Sequence, residues 1–356
     1  MVKRILAIIK RFIGKIYAKL SPTFRKEVET HLYVKSELKA IETKQDYLFW
    51  ISQNEPGELL SDTKKRVFAN LPPAEGVLRD IQKLAFVLLE ELDKICKEND
   101  INYFVMGGTI IGSVRHKGFI PWDDDVDIGM MRKDYDKLRE VLKDNEKLEI
   151  LEFYNLNNYY RIPKVVLRGS KTKLAMDIIL FDYANFEDYD LPAGASVETK
   201  YTLVWNEQKK IRRKYVRRLK WFKLSNMDVH NTDLIHKPGH YEKATEITQK
   251  YIDMCNYKYD DGSAIIWGVD NFTSKAPDKR RIYTKESIFP LCEIEFEGKM
   301  FPAPADYMDM IVREAGDIWT FPKDVGSPKF FNDKQLQAEY DKSYESMKKL
   351  GLITEE

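Results

Sequence analysis

The stretch Pro121-Trp122-Asp123-Asp124-Asp125-Val126-Asp127-Ile128 places four carboxylates in five positions, with apolar residues on either side. Read as a strand, it puts Asp123, Asp125 and Asp127 on one face. Asp124 turns to the other and is expected to be structural. Cα atoms two apart on a strand lie about 6.6 Å from one another, so these acids crowd a common space. Crowded carboxylates repel and take up protons, and a divalent cation relieves both effects. An all-oxygen set suits Mg2+ or Mn2+ rather than Zn2+. The plain alternative is a solvated acidic turn. Gly107-Gly108-Thr109, after an apolar strand and before a helix, fits a small phosphate-binding turn or an ordinary strand-to-helix connection. Asp177, within Ala175-Met176-Asp177-Ile178-Ile179, is a carboxylate among apolar residues and needs a partner or a metal.

The elements that must hold these residues follow from periodicity. Leu78, Ile81, Leu84, Leu88, Leu92 and Ile95 share one face of a helix over 76–99. Strands are expected at 103–106, 125–130, 148–153, 161–168 and 175–182, with helices at 109–114 and 135–142 between them. Such interleaving predicts an α/β core. Residues 22–52 read as a weakly patterned helix. A long basic helix is expected at 198–225, with Lys209, Lys210, Arg212, Arg213, Lys214, Arg217 and Arg218 crowding it. That face is either solvated or holds a polyanionic acceptor or lipid headgroups. Another helix is expected at 241–257, and 286–322 is Pro-punctuated and aromatic. The organisation expected is 1–21, 22–75, 76–190, 191–285 and 286–356: amphipathic helix, helical extension, catalytic core, basic helical insert and closing segment.

A chain of 356 residues with 43% apolar and 32% charged residues is an ordinary globular protein. A formal net charge of +1 gives no overall electrostatic case for nucleic acid, and none is expected as a partner. Cys96, Cys255 and Cys292 are isolated and read as buried reduced thiols, not a disulfide framework or zinc site. His236 and His240 flank Pro238-Gly239, which favours a loop over a helical ligand pair. Residues 1–20 carry Lys3, Arg4, Lys10, Arg11, Lys15 and Lys19 and no acid, with Ile5, Ile9, Phe12, Ile16 and Leu20 along one helical stripe. A basic amphipathic helix in the membrane interface fits this pattern; a helix packed on the protein body is the alternative.

Residues 107–129, Gly-Gly-Thr-Ile-Ile-Gly-Ser-Val-Arg-His-Lys-Gly-Phe-Ile-Pro-Trp-Asp-Asp-Asp-Val-Asp-Ile-Gly, resemble the signature of the LicD family, which includes fukutin and its related protein. The resemblance continues through Lys164, Met176-Asp177-Ile178, Phe289-Pro290, Phe296-Glu297-Gly298 and the segment from Pro302 to Pro322. Glu314-Ala315-Gly316-Asp317 departs from the commoner Tyr-Gly-Asp. The resemblance implies a nucleotidyltransferase-like mixed sheet flanked by helices. It also implies transfer of a phospho-substituent, phosphocholine or an alditol phosphate, from a CDP-activated donor to a hydroxyl of a cell-surface glycan or its lipid-linked precursor. Asp125, Asp127 and Asp177 are then the expected catalytic metal-binding residues, with Asp123 a further ligand. Gly107, Gly108, Thr109, Arg115, His116, Lys117 and Lys164 are expected to steady donor phosphates, and Trp122 to pack. The expected location is the cytoplasmic face of the membrane, reached through residues 1–20. Transfer of the nucleotidyl group itself, or a non-catalytic role in glycan assembly at a membrane, are the competing readings.

Overall fold

The computed structural model describes residues 22–155, 160–185, 240–255, 257–268, 282–321 and 333–354, with Gly194, Arg213, Lys214 and Arg217. The expected amphipathic helix at 1–20 and most of the basic segment at 198–225 lie outside the described residues; Arg213, Lys214 and Arg217 are helical and exposed. The chain divides into two compact units, Met1–Val67 and Phe68–Glu356.

The first unit contains helix α1 (Pro22–Gln53) and most of α2 (Leu60–Ala69). Arg66 fastens the corner between them, ion-pairing with Glu58 at 2.8 Å and donating to the Gln53 carbonyl at 2.7 Å.

The second unit opens with α3 (Gly76–Glu98), whose stripe of Leu84, Leu88, Leu92 and Ile95 is buried. There follow β1 (Phe104–Val105), α4 (Gly107–His116), β2 (Val126–Met131), α5 (Arg132–Lys143), β3 (Leu148–Asn155), β4 (Tyr160–Leu167) and β5 (Ala175–Ala184). The sheet order is β1-β2-β5-β4-β3. β2 and β5 run parallel, and the other pairs of this series are antiparallel. After α6 (His240–Ile252), β6 (Ala264–Trp267) pairs with the second half of β5, and β7 (Ile282–Thr284) pairs with β6. Then come α7 (Lys285–Ile288), a hairpin of β8 (Cys292–Phe296) and β9 (Lys299–Ala303), α8 (Tyr307–Ala315) and α9 (Asp333–Lys349). This is the α/β core that the interleaving predicts, and the mixed sheet flanked by helices that the resemblance implies.

Alternation on the two central strands divides the core. Val126, Ile128 and Met130 join Met176, Ile178 and Leu180 in one cluster with the α3 stripe and with Tyr135 and Leu138 of α5. Asp127, Gly129 and Met131 share the opposite face with Asp177, Ile179 and Phe181, over a second cluster that includes Phe104, Ile265 and Tyr283. Buried polar contacts also join the elements: Arg132 of α5 grips Asp182 of β5 through two hydrogen bonds, at 2.5 and 2.8 Å. No disulfide forms among the three cysteines. No helix among the described residues is long and apolar enough to cross a membrane.

β6 and β7 fall within the expected helical insert at 191–285 yet extend the main sheet, and three further differences from expectation have a physical cause. The acidic strand begins at Val126, because only from there does the chain pair with β5. Helix α4 starts at Gly107, whose φ of +54° turns the chain directly from β1 into the helix. The segment 286–322 contains the helix α8, capped by the Asp306 carboxylate accepting from Asp309 N–H at 3.0 Å.

Candidate active site

Asp127 is fixed by three hydrogen bonds from one turn of chain. Its N–H donates to Thr109 Oγ1 at 2.8 Å, its carbonyl accepts from Met106 N–H at 3.1 Å, and its Oδ2 accepts from Gly108 N–H at 3.0 Å. The carboxylate therefore caps α4 from a neighbouring strand and meets the positive end of the helix. A Cβ on Gly107 would lie 2.2 Å from Asp127 Oδ2, and one on Gly108 would lie 2.4 Å from Asp123 Oδ2. The glycine pair thus makes room for carboxylates, and the Gly108 N–H expected to meet a phosphate is already occupied by Asp127. Gly107→Ala both strains a left-handed backbone, by about 1–2 kcal/mol, and displaces Asp127. We expect a loss of turnover of about a hundredfold or more, with a smaller fall in melting temperature; unchanged kcat/KM rules this positioning out.

Strand register completes the arrangement. Asp127 faces Asp177 across the parallel β2–β5 pair, and Asp177 faces Lys164 across the antiparallel β5–β4 pair. Lys164 Nζ lies 2.5 Å from Asp177 Oδ1, so this cation, expected at a phosphate, neutralises one carboxylate here. Asp127 is partly buried by accessible surface and densely ringed by protein atoms. Burial first, then the charges of Asp125 and Asp177, raise its proton affinity well above the usual carboxylate range, and the Gly108 N–H offsets only part of that.

Asp123, Asp124 and Asp125 precede the strand, so alternation does not govern them. Each offers an oxygen, and all three oxygens lie within 4.8 Å of one another. Asp124 therefore joins the cluster instead of turning away, a correction that follows from the later strand start. A hard divalent cation fits this set: the donors are all carboxylate oxygens, and the charges of Asp125 and Asp177 drive Asp127 toward protonation in the protein alone.

The structure separates Arg115 and His116 from the glycine turn, placing them in the last turn of α4. Arg115 is 6% exposed, and its guanidinium stacks on Phe68 at 3.8 Å and lies 5.6 Å from the Trp122 ring. Its Nε and Nη2 are buried without a hydrogen-bond acceptor, and burial pushes its pKa down to about 10. His116 is held down to about 4 by burial and then by the Arg115 charge. Lys117 pairs with Glu295 on the hairpin, and Trp122 packs 6.2 Å from Phe321.

Beside the acids lies a cleft of about 360 Å³. Asp124, Asp125, Lys164 and Asp177 line one side, Ile81 and Leu84 another, and Gln335, Glu339 and Ser343 of α9 a third. Sequence reasoning missed the α9 wall, which has no chemical motif of its own. It also missed Gln82, whose signal was a polar residue within the apolar stripe of α3; Gln82 is 1% exposed.

Comparison with known proteins adds to this geometry. Residues 100–231 match the family model described as LicD/FKTN/FKRP, nucleotidyltransferase domain. The lipopolysaccharide cholinephosphotransferase LicD of Haemophilus influenzae is 25% identical over 269 residues, covering 69% of this chain and 92% of that protein. Uncharacterized proteins of Rickettsia prowazekii and Rickettsia typhi are 40% and 36% identical over 63 residues, 24% and 20% of their lengths.

Proposed function

Because this chain belongs to the LicD family through the domain at residues 100–231, and is a transferase of phosphate-containing groups, we propose that it transfers phosphocholine from CDP-choline to a sugar hydroxyl of a lipopolysaccharide-type surface glycan. An alditol phosphate from the matching CDP-alditol is the variant donor. The supporting observation is the gathering of Asp125, Asp127 and Asp177 beside the cleft lined by Lys164. Asp125 and Asp127, with Asp123 and Asp124 at the loop and Asp177 opposite, are the residues to hold Mg2+ or Mn2+. A hard divalent ion, when bound, neutralises donor phosphates and the departing nucleotide.

In this reading the acceptor oxygen forms a bond to the choline-bearing phosphorus, and the phosphorus–oxygen bond to CMP breaks. CMP leaves with the electron pair. The acceptor proton passes to a carboxylate of the cluster, with Asp177 the candidate when it is not a ligand. Lys164 holds Asp177 in place. The glycan precursor is lipid-linked in this proposal, and residues 1–20 bring the chain to the membrane surface.

The test is turnover of CDP-choline, CDP-ribitol and CDP-glycerol with a glycan acceptor, with and without Mg2+ or Mn2+. Donors carry one label on the nucleotide and another on the substituent. We expect the substituent label on the glycan and a chelator to stop transfer. Nucleotide label on the acceptor establishes nucleotidyl transfer instead, and no transfer from any donor favours a non-catalytic role in glycan assembly.

A further inference from the structure

The acid loop 123–125 lies outside the sheet, yet its mutually repelling carboxylates are held together. Its carbonyl at Asp123 accepts from Gln82 Nε2 at 2.8 Å, and the same nitrogen approaches the Ile120 carbonyl at 3.3 Å. Gln82 Oε1 in turn accepts from Arg79 Nη1 at 3.2 Å, one helical turn earlier on α3. Arg79 reaches out of the helix to Glu297, with Nη2–Oε2 at 2.6 Å and Nη1–Oε1 at 3.1 Å, a planar two-point contact. Glu297 sits at the tip of the β8–β9 hairpin, far along the chain.

That tip is shaped for the contact. Glu297 and Gly298 both have positive φ, 49° and 77°, the backbone of a tight two-residue hairpin turn. A glutamate is an uncommon choice there, and its side chain is spent on the loop leading to the acids. Glu297 Oε1 accepts from Phe119 N–H at 3.0 Å, and its own N–H donates to the Lys117 carbonyl at 2.8 Å. A Cβ on Gly118 would lie 2.4 Å from Glu297 Oε1, so glycine lets the two segments meet.

We propose that Glu297, Arg79 and Gln82 form one positioning chain that holds the acid loop in its cation-binding shape. This deepens the proposed function, since it rests on reading Asp123–Asp125 as part of the cation site. The three residues do not touch substrate; they act through the Asp123 and Ile120 carbonyls and the Phe119 amide.

Mn2+ titration of the full chain, followed by the electron paramagnetic resonance signal of free Mn2+, tests this without turnover. Glu297→Gln removes charge at nearly constant shape, and Gln82→Met removes the bonds to the loop while leaving the hairpin contacts intact. Each is expected to weaken Mn2+ binding by about tenfold, and the double variant to be no weaker than the stronger single one. Wild-type Mn2+ affinity in both single variants overturns the proposal, even if their melting temperatures fall, and so do strictly additive losses. Should Glu297→Gln fail to fold, Gln82→Met carries the test alone. No Mn2+ uptake by the wild-type protein sinks the cation reading and this chain with it, which separates that failure from a failure of positioning.

Discussion

Asp127→Asn is expected to lower turnover steeply while raising the melting temperature of the metal-free protein. Asparagine keeps an oxygen for the Gly108 N–H, so the local fold survives. What disappears is a negative charge that burial, Asp125 and Asp177 oppose in the folded state. The sign follows from linkage. With its folded pKa raised above the unfolded value of 3.8, Asp127 makes the folded state bind more protons than the unfolded state between the two values. Its contribution to stability is therefore present at low pH and is lost as pH rises through that window. The wild-type protein gains stability from this group on mild acidification, and Asp127→Asn removes that gain. Turnover is expected to fall by about a thousandfold or more, equivalent to about 4 kcal/mol of barrier. Melting curves from pH 5 to 8 with and without Mg2+, alongside rates, check both halves. An Asp127→Asn protein that melts lower than wild type at neutral pH without metal contradicts the electrostatic account.

Asp182→Ala is expected to unfold the second unit more readily than any single change at the acid cluster. Arg132 and Asp182 have side chains only 7% and 0% exposed, and the pair joins the first turn of α5 to β5. Removing one member of such a pair costs about 3–5 kcal/mol, because the other charge stays buried without its partner. At about 2–4 °C per kcal/mol for a unit of this size, the melting temperature falls by about 10 °C. The double variant Arg132→Met/Asp182→Leu should recover much of that loss, since neither charge then remains to be desolvated. Thermal and urea denaturation provide the measurement. A double variant as unstable as Asp182→Ala shows that packing, not charge, was decisive.

Much of the core was legible because its strands and helices carry strong local signals. Periodicity placed α3, β3, β4 and β5 within a few residues, and the carboxylate at Asp177 stood out against its apolar neighbours. The acid loop was harder. Alternation is a rule for strands, and sequence gives no sign that pairing begins at Val126 and leaves Asp124 free to join Asp123 and Asp125. Arg115 and His116 are expected to steady donor phosphates because they follow the short helix within the block that carries the resemblance. Seven residues of helix carry Arg115 about 10 Å along the axis, and its packing on Phe68 was invisible to local pattern. The Glu297 contact was least legible, since a separation of 218 residues leaves no trace in spacing.

The facing of Asp127 and Asp177 ties the proposed catalysis to sheet register. Side chains alternate with a period of two, so a one-residue slip between β2 and β5 sends one acid into the opposite core. The same slip buries a carboxylate among Ile178 and Leu180 or their counterparts, at a cost that drives the strand back. Correct pairing is thus read out twice, once as stability and once as chemistry. A single-residue insertion within either strand should be far less tolerated than one in the α5–β3 connection at residues 144–147, which lies outside this pairing.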